Sequence, residues 1–110
     1  MRNGLTQNAR QTLEARYLLK NEAGEVVETP EQLFYRVSRA VAAGEKKIAD
    51  AGGVRRAENR FFELISSLTF LPNSPTLMNA GTDLGQLAAC FVLPVGDSLR
   101  EISIPFAMQP

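Results

Sequence analysis

The sequence predicts a mainly α-helical domain with a small β-hairpin near its start, running at its end into one buried strand. Three observations carry that reading. TPEQLFYRVSRAVAAGEKKIADAGG, from Thr29, and VRRAENRFFELISSLTF, from Val54, both repeat apolar residues with helical period. YLLKNEAGEVVET, from Tyr17, sets a turn between two short strand-like pieces. LAACFVLPV, from Leu87, is a continuous apolar run of strand length, the pattern of a strand covered on both faces.

Residues 1–16 read as a short helix, with Thr6 as N-cap and Leu5, Ala9 and Leu13 at four-residue spacing. The hairpin turns at Asn21–Gly24, where Gly24 tolerates a positive φ, and its polar content predicts an exposed one. The first long helix has the strongest start signal in the chain. Thr29 can cap it, Pro30 suits the first helical position, and Gln32 completes a capping box. Phe34, Val37, Val41 and Ile48 form its stripe, and Gly52–Gly53 are read as the stop. In the next helix Phe61, Leu64, Ile65 and Leu68 fall at i, i+3, i+4 and i+7, so the two helices are expected to pack as a hairpin and bury both stripes.

From Leu71 the texture changes. Asn-Ser-Pro and Asn-Ala-Gly within LPNSPTLMNAG read as loop chemistry, since proline fixes φ and glycine tolerates conformations that other residues avoid. After the apolar run, Ser98 and Glu101 have the spacing of a capping box for a short helix that Pro105 ends. The boundaries that follow are 1–70 for the helical domain and 71–110 for the loop-and-strand part.

Composition narrows the function. The chain has 110 residues, 45% of them hydrophobic and 22% charged, as in an ordinary soluble globular domain. Twelve acids balance twelve bases, so nothing in the charge points to nucleic acid or to an anionic membrane. No apolar run approaches the roughly 20 residues of a membrane span, and the first ten residues lack the apolar segment of a secretory signal. There is no histidine, which removes the commonest metal ligand and general base, so no metal site is expected. A single cysteine cannot form an internal disulfide, and a reducing cytoplasm is the expected compartment.

By residue type alone Cys90 reads as packing, because free cysteine is among the most buried of residues. Ser74, Thr76 and Asn79 supply hydroxyl and amide groups, and backbone N–H groups near Gly81 offer donors to an anion or a hydroxylated ligand. The same side chains equally serve a turn that satisfies its own backbone.

FLPNSPTLMNAGTDLGQLAACFVLPVGDSL resembles the start of the catalytic region of adenosylcobalamin-dependent, class II, ribonucleotide reductases. LTQNARQTLEARYLLKNEAGEVVETPEQLFYRVSRAVAAGE likewise resembles the family's N-terminal helical segment. The similarity covers residues 5–102, and class I large subunits share a looser version of it. It implies that residues 71–110 begin an α/β barrel, with LAACFVLPV as its first strand and the rest of the barrel absent. Cys90 matches the cysteine that forms one half of a redox pair and becomes a disulfide as it delivers electrons to the ribose. Thr76, and more weakly Ser74, match the loop that lies at the substrate nucleotide. Ala89 matches a position that contacts substrate through its backbone or a small side chain, and with Ala88 it replaces the serine that many relatives carry there.

The resemblance also implies partners: a ribonucleotide substrate, a thioredoxin-type or dithiol reductant, and adenosylcobalamin bound by parts of the enzyme that this chain lacks. The thiyl-radical cysteine, the second redox cysteine, and the phosphate and cobalamin sites lie downstream in relatives. The chain is therefore expected to be an N-terminal fragment or a split subunit completed by the remaining reductase polypeptide, and inactive alone. The rival expectation is a non-catalytic helical module that binds a partner through its amphipathic helix pair.

Overall fold

A computed structural model describes residues 4–104. Its order is α1 (Gln7–Arg16), α2 (Pro30–Ala42), a 3₁₀ turn (Ala43–Lys47), α3 (Ala51–Ser66), α4 (Ser74–Asn79) and α5 (Leu99–Ser103). The chain is mainly helical, and among the described residues no strand forms.

Local chemistry starts these helices where the sequence places caps. Thr6 accepts from Ala9 N at 3.1 Å to open α1. At α2 the capping box is complete: Gln32 N donates to Thr29 Oγ1 at 3.2 Å, and Thr29 N donates to Gln32 Oε1 at 2.9 Å. Ser98 accepts from Glu101 N at 3.1 Å to open α5. Pro105, the expected stop for α5, lies outside the described residues.

Between α1 and α2 the chain turns at Asn21–Gly24, with Gly24 at φ +83°. Asn21 Oδ1 accepts from Ala23 N and Glu25 N, and a single isolated antiparallel bridge, Lys20 with Val26, closes the turn. One bridge is less than the two-stranded ladder that the sequence suggests.

The break between the long helices falls earlier than the Gly-Gly pair. Helix α2 ends at Ala42, and Asp50 caps α3 by accepting from Gly53 N at 2.8 Å. Gly52 and Gly53 thus lie in the first turn of α3, where the aspartate cap outweighs their poor helix propensity. Ile48 falls in this connection and is exposed, and Val41 is also exposed, so the α2 stripe is Leu33, Phe34 and Val37. Leu68 is not part of the α3 stripe either. It lies beyond the helix end at φ +63° and is exposed.

Helices α2 and α3 pack side by side, with Tyr35 edge-on to Phe62 at 6.4 Å between ring centres. The core joins four helices: Leu13 of α1, Leu33, Phe34 and Val37 of α2, Ile65 of α3, Leu77 of α4, with Leu18 and Ala80 from the connections. The stretch read as a loop therefore contains a helix, α4, anchored by the core. The apolar run from Leu87 forms no regular secondary structure and pairs with no strand among the described residues, and Phe91, Val92, Leu93 and Val95 are exposed. A strand needs a neighbour to receive its backbone groups, and the described residues offer none.

Candidate functional site

Asn73 opens α4 by accepting from Thr76 N at 3.1 Å, with Pro75 in the first turn, where its missing N–H costs nothing. The same Asn-Ser-Pro that signals a turn here serves as cap and first helical residues. The six residues of α4 put Ser74, Thr76 and Asn79 on one short element.

Their surroundings differ. Ser74 is exposed, and its hydroxyl shares a 2.8 Å hydrogen bond with Tyr17 of the segment after α1. Thr76 is buried, and its hydroxyl donates to Leu87 O at 3.2 Å. Asn79 Nδ2 donates to Gln86 O at 2.9 Å. Two side chains of α4 thus hold the backbone of residues 86–87, three and four residues before Cys90. Ala89, at a bend, and Cys90 follow in a segment without regular secondary structure, and both are exposed. The packing that residue type alone suggests for Cys90 is therefore not supplied by the described residues.

Sequence reasoning missed the group that fixes the other end of α4. Arg36, on α2, donates through Nη1 to Ala80 O at 2.7 Å and through Nη2 to Leu77 O at 3.1 Å. Its Nε and Nη2 also donate to the two carboxylate oxygens of Glu28, at 2.9 and 3.0 Å. The two side chains are 11% and 7% exposed, so the pair is desolvated as well as bidentate. Leu19 N donates to Glu28 Oε1 at 3.2 Å and satisfies the acid further. The available signal was a cation set among Leu33, Phe34 and Val37, with an acid eight residues before it.

Beside Thr76 opens a groove of about 510 Å³, lined mainly by Val37, Val41, Phe61, Leu64, Phe70 and Leu87. Its hydroxyls are those of Ser38, which donates to Phe34 O, and Thr76, already bound to Leu87 O. Such a lining accepts apolar groups. It has neither a metal ligand nor a set of free donors for the amide-rich rim of a corrin, so this groove does not by itself fit adenosylcobalamin. Among the described residues no three of His, Cys, Asp and Glu gather where they would hold a metal ion, and no helix is long and apolar enough to cross a membrane.

Residues 3–85 match the family model described as "Ribonucleotide reductase, all-alpha domain". The chain is 53% identical over 90 residues to a vitamin B12-dependent ribonucleoside-diphosphate reductase of Mycobacterium tuberculosis, a match covering 82% of this chain and 13% of that protein. A protein of the same name from Thermoplasma acidophilum is 41% identical over 152 aligned residues, covering 89% of this chain and 20% of the relative. The ribonucleoside-diphosphate reductase large subunit of Acanthamoeba polyphaga mimivirus is 39% identical over 95 residues, covering 84% of this chain and 10% of the relative. The chain thus spans between 10% and 20% of the length of these relatives. With a helical core built from α1 to α4 and a family match over most of its length, the chain belongs to the ribonucleotide reductase family, in the region of its N-terminal all-α domain.

Proposed function

We propose that this chain is the N-terminal part of an adenosylcobalamin-dependent ribonucleotide reductase, and that α4 with residues 81–90 forms one wall of its substrate site. In this reading residues 1–70 are the helical domain, and residues 71–110 lead into the catalytic α/β barrel with Leu87–Val95 as its first strand. The complete enzyme reduces ribonucleotides to 2′-deoxyribonucleotides. The observation that carries the reading is the tie between Thr76 and Leu87 O, because it couples the loop implied at the nucleotide to the segment that delivers the thiol.

Reduction at the ribose C2′ replaces a C–O bond with a C–H bond and releases the hydroxyl as water. Two thiols supply the two electrons and two protons and join as a disulfide. Cys90 is one of those thiols; the other comes from outside this chain, which has a single cysteine. The exposure of Cys90 suits a thiol that must meet both a partner cysteine and a ribose. Thr76 donates its proton to Leu87 O and so presents oxygen lone pairs to a hydroxylated ligand. Ser74 is a second hydroxyl at the start of the same helix, and Ala89 contributes backbone only. In the complete enzyme the cofactor, held outside these residues, would supply the radical that starts the reaction. A thioredoxin-type or dithiol reductant then restores the thiols.

The exposed apolar residues Phe91 to Val95 favour completion of the site by further reductase polypeptide, whether fused or separate. The test is a chimera in which residues 5–102 replace the matching segment of the Mycobacterium tuberculosis relative. With adenosylcobalamin and a dithiol it is expected to form deoxyribonucleotide, and Cys90→Ser is expected to abolish this. A chimera whose serine variant still turns over with the dithiol would refute the redox role.

A further inference from the structure

We infer that Arg36 is a positioning residue for the substrate wall, a role that rests on the reading of Thr76 and Cys90 above. The last carbonyls of a helix have no partner within it, and the C-terminal end of α4 presents those of Leu77 and Ala80 to one guanidinium, at 3.1 and 2.7 Å. The cation satisfies both and complements the negative end of the helix.

The adjacent Nε–Nη2 edge of the guanidinium is clamped by both oxygens of Glu28, which Leu19 N holds in turn. The fork is therefore fixed on two sides, a geometry that a lysine ammonium cannot reproduce. Immediately after Ala80 the chain turns at Gly81, φ +79°, directly over the arginine. A Cβ at that position would lie 2.9 Å from Arg36 Cγ. From there the backbone runs back so that Thr76 and Asn79 bind Leu87 and Gln86. Arg36 thus sets where α4 ends and the direction in which the segment carrying Cys90 leaves, while touching neither substrate nor thiol itself.

Two measurements on Arg36→Lys test this. In the present chain, the amides of Leu77 and Ala80 are expected to exchange with solvent about tenfold faster, with those of α2 and α3 unchanged. Uniform acceleration throughout the chain would overturn the inference, as would no change. In the chimera, the nucleotide KM is expected to rise about tenfold at nearly constant turnover per active site. A purely structural residue would instead lower the amount of active enzyme and leave KM alone, and that result would also overturn it. Gly81→Ala, which pushes on the same side chain, is expected to raise KM in the same direction. If the unsubstituted chimera is inactive, the reading of Thr76 and Cys90 fails first, and the exchange rates at Leu77 and Ala80 decide whether Arg36 controls α4.

Discussion

Thr76 and Ser74 stand two residues apart on α4 and carry the same functional group, yet their environments give them different weights. The Thr76 hydroxyl is buried and holds Leu87 O, whereas the Ser74 hydroxyl meets Tyr17 at the surface. Thr76→Val is therefore expected to cost about 1 kcal/mol in denaturant unfolding, and Ser74→Ala no more than about 0.5 kcal/mol. Equal losses would show that the Leu87 bond carries no more weight than the surface one. Residue identity made both hydroxyls legible as candidates, because short polar side chains before an apolar run are visible in sequence. Arg36 and Glu28 were not legible in the same way. Their significance depends on Leu77 and Ala80, more than forty residues away, and that proximity exists only after α2 and α4 pack together.

At the scale of elements, the caps were readable because they are local: Thr6, Thr29 and Ser98 act within three residues of themselves. What misled was chemistry with two uses. Asn-Ser-Pro marks a turn or a helix start with equal ease, and at Asn73 it starts α4. Gly-Gly marks a stop or a tolerated first turn, and Asp50 decides for the second. The end of α3 is a further case. Thr69 N donates to Leu64 O at 3.0 Å and Leu68 N to Ile65 O at 3.0 Å, which is a Schellman ending. The residue at its left-handed position is Leu68, φ +63° and 46% exposed, where glycine is the unstrained choice. Leu68→Gly is expected to raise stability by about 1 kcal/mol, read as a higher denaturant midpoint with unchanged slope. A lower midpoint would mean that the leucine side chain contributes more by packing than its backbone conformation costs.

For the whole molecule the decisive feature is that helical packing ends before the apolar run begins. The radius of gyration is 17.9 Å, against about 13 Å for a compact domain of near this size. Leu87–Val95 has the composition of a strand covered on both faces, but Val92 is fully exposed and its neighbours more than half so. Composition reads the run as a segment that requires burial, and the described residues supply no cover. The isolated chain is accordingly expected to self-associate as its concentration rises, seen by sedimentation, and Val92→Lys is expected to suppress this without lowering the melting temperature. A monodisperse monomer at all concentrations would show that the run needs no partner.

The central claim is that Cys90 is half of a redox pair whose partner lies elsewhere in the reductase. A single turnover of the chimera, with adenosylcobalamin and nucleotide but no external reductant, tests it most directly, followed by peptide mapping of Cys90. Cys90 is expected in a disulfide in proportion to the deoxyribonucleotide formed. Deoxyribonucleotide formed while Cys90 remains a free thiol would contradict it.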